Sequence, residues 1–185
     1  MNNRTFYNEV LTDHNRYPGH KEKLADANLV LEGVNPSCGD DIVLQLRVED
    51  GRIAEGTFTG DGCAISQASV DIMLDLVIGK TKEEAMHLAD LFFRMIKGTV
   101  SDEELEELEE ASALVDISHM PARVKCAVLG WHTLTEILGT NRKRNRKYRN
   151  KRSGRDRVNT LLLYRFLMPS VIAAGMNRFY NKGKK

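Results

Sequence analysis

The chain has 185 residues, 42% of them hydrophobic and 29% charged, which reads as one domain with an ordinary core plus an extension and argues against two full domains. Its formal charge of +1 conceals a division: residues 1–138 hold 12 Lys and Arg against 25 Asp and Glu, whereas residues 139–185 hold 15 against the single Asp156. The opening stretch "MNNRTFYNEVLTDHNRYPGH" has no apolar run of signal-peptide length and three cysteines are an odd number for a disulfide framework, so a secreted cystine-stapled domain is disfavoured and a reducing, cytoplasmic setting is expected.

Residues 4–15, "RTFYNEVLTDHN", place Phe6, Val10 and His14 at four-residue spacing, the pattern of a short amphipathic helix that Pro18 and Gly19 end. From Asn28 to Thr59 the period falls to two. "NLVLEGV", "IVLQLRVEDG" and "RIAEGTFTG" read as three strands, with Val43, Gln45 and Arg47 on one face and Leu44, Leu46 and Val48 on the other. "EDGR" at residues 49–52 is a hairpin signal. The expectation is an α+β fold: a three-stranded antiparallel sheet packed against several helices, which must cover one of its faces.

Residues 64–77 carry Ile65, Ala68, Ile72 and Leu76 on one helical stripe, with Gly79 as the stop. A second helix over residues 81–98 opens on Thr81 with Glu84 three residues on, a capping box, and Ser101 with Glu104 repeats the arrangement at the head of a short, very acidic helix. "MPARVKCAVLGWHTLTEIL", residues 120–138, has Pro121 in a first-turn position and reads as a single last core helix.

The three cysteines fall at element boundaries. Cys38 sits in the loop "NPSCGDD" between the first two strands, Cys63 where the third strand runs into a helix, and Cys126 about a turn and a half into the last helix. No spacing matches a CxxC zinc ribbon, so a shared site would have to be assembled by the fold. The helix that begins after Cys63 would favour its thiolate, and Gly60 and Gly62 leave the backbone free to bring it inward. Asp40 lies across Gly39 from Cys38 and can turn its carboxylate to the same point. Three sulfurs and one oxygen make the four-coordinate set that zinc prefers; three unconnected buried cysteines and an aspartate in a turn are the alternative. His119 is a possible competing ligand but lies before Pro121 and would need a separate loop path to the site; His14, His20, His87 and His132 have no ligand-like spacing, and all five are expected to face solvent or cap helices.

Together "NPSCGDDIVLQLRVEDGRI", "FTGDGCAISQASVDIM" and "PARVKCAVLGW" resemble the U-type iron-sulfur cluster assembly proteins, with three motifs in the family's order between Tyr7 and Leu138. The SufU branch is the more similar: Lys125 stands where the IscU scaffold branch has a histidine before its third cysteine, and "FRMIKGTVSDEELEELEE" looks like the SufU insertion. The resemblance implies that Cys38, Asp40, Cys63 and Cys126 hold one Zn2+, with an iron-sulfur cluster as the alternative occupant. It implies further that Cys38 takes persulfide sulfur from a SufS-like cysteine desulfurase, which offers a histidine to replace it on the zinc, and that the sulfur passes to downstream iron-sulfur assembly proteins. The alternative function is a scaffold on which a cluster is built and from which it is transferred. Lys125 reads as a solvated helix residue and Arg123 as a minor candidate for favouring anionic sulfur. Tyr7 and His14 match a stretch linked to partner docking, or simply pack the first helix.

Residues 139–185 depart from that pattern. "NRKRNRKYRNKRSGRDR", residues 141–157, has ten basic residues and one acidic, and if exposed would bind polyanions such as RNA. "TLLLYRFLMPSVIAAGM" is apolar, but Arg165 interrupts it, Pro169 breaks it, and it is short for a membrane span. The charge reversal at Gly139, with no glutamate after Glu136, also fits an out-of-frame extension, because glutamate codons read one base off become lysine- and arginine-type triplets. The domain is therefore expected over residues 1–138, followed by a disordered or poorly packed tail.

Overall fold

The computed structural model describes residues 3–139, with side chains from Glu9 onward; the basic tail and the expectations placed on it lie outside the described residues, as does the side chain of Tyr7. Strands β1 (Leu29–Asn35), β2 (Asp40–Glu49) and β3 (Arg52–Asp61) form one antiparallel sheet in the order β1-β2-β3, the expected meander. Asp50 and Gly51 both take positive φ, 48° and 82°, which suits a tight hairpin whose twist matches the strands. The ladder slips once, between Arg47 and Val48. Ile42, Leu44, Leu46, Ile53 and Phe58 line the inner face and are fully buried. Gln45 and Thr57, opposite each other on the other face, are buried as well, so the polar side of the sheet is not wholly open.

Among the described residues six α-helices accompany the sheet: α1 (Asn3–Arg16), α2 (Ala64–Val77), α3 (Lys82–Ile96), α4 (Asp102–Glu106), α5 (Pro121–Ala127) and α6 (Leu129–Gly139). Both capping boxes form as the sequence predicts. Arg94 then closes the α3–α4 turn with two bonds to Glu104, at 2.6 and 2.7 Å, and one to the Thr99 carbonyl at 3.2 Å. The single stripe expected on α2 is too narrow. Ser66, Ser69 and Asp71 are buried together with the apolar residues, because β3 and α6 pack against α2 as well as α1 and the segment before α5.

Two expectations need correction between Glu109 and Gly139. Residues Glu109–His119 form an unexpected 3-10 helix, whose buried Ala111, Leu114 and Ile117 recur every three residues, the period of that helix. The single last helix is two, α5 and α6, joined at Val128. Beside the join, the Ser69 hydroxyl donates to the Ala127 carbonyl at 2.7 Å and accepts the Trp131 indole N–H at 3.2 Å. Trp131 in turn lies flat on Phe92, ring centroids 4.2 Å apart.

The N-terminal segment is fastened to α2 by Asp71, which is 1% exposed. Its carboxylate accepts the backbone N–H groups of Gly19 (3.1 Å) and His20 (2.8 Å) and meets His14 Nδ1 at 2.8 Å. The other ring nitrogen of His14 meets Glu110 at 3.1 Å, and His20 Nε2 meets Asp75 at 2.8 Å. His14 and His20 are thus half-buried partners of carboxylates rather than solvent-facing residues, while His87, His119 and His132 are exposed as expected.

Candidate metal centre

The residue before a proline is driven to extended backbone, so β1 runs through Asn35 and the chain turns only at Pro36. The Asn35 carbonyl accepts from the N–H groups of Cys38 (3.2 Å) and Gly39 (3.0 Å), and its side-chain oxygen accepts from Ser37 N at 3.2 Å, an Asx-turn. Gly39, at φ +73°, completes the reversal and returns the chain to Asp40, which lies directly opposite Asn35 in the ladder. The turn leaves Cys38 exposed while Asp40 is fully buried.

Cys63 is the N-cap residue of α2, half-buried, with no side-chain capping bond. Its backbone N–H donates instead to Asp40 Oδ1 at 2.8 Å. A Cβ on Gly62 would stand 2.4 Å from Ser66 Oγ and 3.3 Å from Asp40 Oδ1, so glycine there lets the carboxylate lie under the start of the helix. Cys126, on the buried side of α5, brings its sulfur to 3.1 Å from the sulfur of Cys38. The Asn35 amide completes the cluster, donating to Asp40 Oδ2 at 2.9 Å and to Cys126 Sγ at 3.4 Å.

Burial alone would raise the Asp40 carboxyl, but hydrogen bonds from the Cys63 N–H, the Cys126 thiol, Asn35 and Ser66 outweigh it and hold it below the usual carboxylate range. Burial, then contact with Cys38, Asp40 and Cys63, pushes the Cys126 thiol far up. A buried carboxylate beside a buried thiol that resists ionisation is a donor set that a divalent cation would relieve, because a bound cation inverts that resistance. The dimensions fit as well. One donor atom each from Cys38, Asp40 and Cys126 lies within 4.8 Å of the others, and zinc–sulfur bonds of about 2.3 Å put two sulfurs of a tetrahedral site roughly 3.8 Å apart.

All three cysteines are free thiols. Cys63 stands next to Cys126 but is not among the three mutually close donors. Arg123 and Lys125 are both exposed on α5. Sequence reasoning missed Asn35 and Ser66, and the only trace of the former was its place ahead of Pro36 and Cys38. His14, Asp71 and Asp75 also cluster within 4.8 Å, but Asp71 there is already satisfied by two backbone N–H groups and the His14 ring.

Residues 6–127 match the NifU-like N terminal domain family. Among curated relatives, an iron-sulfur cluster assembly scaffold protein IscU from Thermotoga maritima is 42% identical over 135 residues, spanning 73% of this chain and 94% of that one. The zinc-dependent sulfurtransferase SufU of Bacillus subtilis is 36% identical over 130 residues, spanning 70% and 87%. A solved structure of an iron-sulfur cluster assembly scaffold protein for the SUF system from Fervidobacterium islandicum superposes with a TM-score of 0.68 at 36% identity, covering 73% of this chain and 98% of that one. The chain therefore belongs to the NifU-like N terminal domain family of iron-sulfur cluster assembly proteins.

Proposed function

We propose that this protein is a zinc-dependent sulfur acceptor, which takes persulfide sulfur from a SufS-like cysteine desulfurase in the cytoplasm and passes it to downstream iron-sulfur assembly proteins. Cys38, Asp40, Cys63 and Cys126 are the proposed zinc ligands. The observation that carries the reading is an asymmetry of exposure: Cys38 is exposed on a turn, whereas Asp40 and Cys126 are fully buried and Cys63 is half-buried at a helix start. A centre built that way has one sulfur that a partner can reach and others that keep their place. The SufU relative named as a zinc-dependent sulfurtransferase supports the same choice.

When bound, zinc supplies positive charge that keeps thiols deprotonated at neutral pH, without redox chemistry of its own. The Cys38 sulfur attacks the outer sulfur of the donor's cysteine persulfide. A new S–S bond forms to Cys38, the donor's S–S bond breaks, and the donor cysteine leaves as thiolate, so the exchange has no net oxidation. Asp40 and Cys126 hold the remainder of the site, and the Asn35 carbonyl holds the turn that presents Cys38.

A second reading, a scaffold that assembles a cluster on the same cysteines, is favoured by the scaffold name of the 42% identical Thermotoga relative. Metal analysis of aerobically purified protein together with a desulfurase assay separates the two. Stoichiometric zinc, no visible absorption and stimulated desulfurase turnover support transfer. A reconstituted cluster that is handed on intact, with no stimulation by the zinc form, would overturn it.

A further inference from the structure

We infer that Asn35 is a positioning residue of this centre, holding Asp40 and Cys126 as a fixed pair while Cys38 remains the exchangeable sulfur; the inference rests on the metal-site reading above. Asn35 is 5% exposed and lies opposite Asp40 at the last rung of the β1–β2 ladder. Its Nδ2 is shared between Asp40 Oδ2 at 2.9 Å and Cys126 Sγ at 3.4 Å, so one amide touches the carboxylate and the buried sulfur together. Its two oxygens look the other way, the side-chain one to Ser37 N and the backbone one to Cys38 N and Gly39 N.

One residue therefore separates two groups of donors. Asp40 is gripped from both ends, by Asn35 on Oδ2 and by the Cys63 N–H on Oδ1. Cys126 has the amide as well as burial to keep its sulfur in place. Among the described residues the Cys38 sulfur has its hydrogen-bond contact with the sulfur of Cys126 at 3.1 Å, and its residue is held in the turn by a backbone bond to Asn35. Partners of this kind orient ligands and raise the affinity of a metal site, and removing one costs about 10- to 100-fold in affinity. An amide serves because it carries both a donor for the ligands and an acceptor for the turn. Aspartate at the same place would keep the acceptor for Ser37 N and set a second carboxylate against Asp40.

The test uses cobalt(II) as a spectroscopic probe on the full chain, with chelator competition for affinity. Wild-type protein should show thiolate-to-cobalt absorption, and its absence would sink the metal-site reading itself, whatever the role of Asn35. Asn35→Ala should weaken cobalt binding by about 10- to 100-fold and shift the visible bands. Asn35→Asp, close in size and able to keep the Asx-turn, should show the same loss. Wild-type affinity and spectrum in Asn35→Ala, or in Asn35→Asp should the alanine variant not fold, would overturn the inference. Circular dichroism confirms that each variant compared is folded.

Discussion

His14 on α1 and Asp71 on α2 meet at 2.8 Å, and through that contact the first helix is tied to the central one. Burial would lower the imidazole pKa, but the hydrogen bonds to Asp71 and Glu110 and the charges of Asp71 and Asp75 prevail and raise it above 6.5. A cationic group whose folded pKa is raised contributes stability fully below its unfolded value and loses it as pH rises through the folded value. The contribution is therefore present below about pH 6.5 and fades above it. Urea denaturation across that window should show wild type losing stability toward higher pH relative to His14→Ala. At low pH the variant should be less stable by about 1 kcal/mol. Parallel pH profiles for the two proteins would dismiss the contact.

Ser69 is the second fastening. It is fully buried and serves two groups at once, the Ala127 carbonyl and the Trp131 indole. Ser69→Ala strands the buried indole N–H and should cost about 1–3 kcal/mol. Because the same hydroxyl marks the join between α5 and α6, the variant should also loosen Cys126, seen as faster alkylation of that thiol in metal-free protein. Thermal melting and site-resolved mass spectrometry measure the two effects.

Cys38→Ala and Asp40→Ala should fail differently. The first removes the proposed acceptor, so sulfur acceptance is abolished while the buried donors stay in place. The second should weaken zinc by more than roughly tenfold, the lower end of what losing even a supporting partner costs. Zinc content, chelator competition and desulfurase turnover distinguish them. Unchanged zinc affinity and turnover in Asp40→Ala would remove that residue from the ligand set.

A chain ending at Gly139 keeps every core and site residue named above, and the Fervidobacterium chain is 98% covered by only 73% of this one. Truncation should accordingly leave zinc content and desulfurase stimulation intact. Reading the gene in all three frames should reveal an acidic ending in another frame if the basic tail is an extension. Loss of stimulation on truncation would give residues 140–185 a function.

The meander, both capping boxes and the helical span of α2 were legible because each has a local signature: period-two alternation, a Ser or Thr three residues before Glu, or an apolar stripe at helical spacing. The spacing of Cys38, Asp40, Cys63 and Cys126 left a shared site open, and only the family resemblance grouped them as proposed ligands. What the sequence concealed depends on contacts between distant residues. Beside the join at Val128 the Ala127 carbonyl accepts from Ser69, 58 residues earlier. The 3-10 helix hides behind its acidic run, since Ala111, Leu114 and Ile117 show a period of three only once the segment is known to be helical. Asn35 looked like an ordinary residue before a proline, and its link to Cys126 spans 91 positions. His14 and His20 were misplaced for the same reason, their carboxylate partners lying on another helix.

The sulfurs of Cys38 and Cys126 touch although 88 positions separate them in the chain. An unfolded polypeptide offers no such juxtaposition, so a cation held between them would favour the native state. Ligand and fold are then thermodynamically linked: free cation at 100 times its dissociation constant adds about 2.7 kcal/mol to the unfolding free energy. If the proposed site holds zinc, the melting temperature should climb with free zinc and drop when a chelator is added.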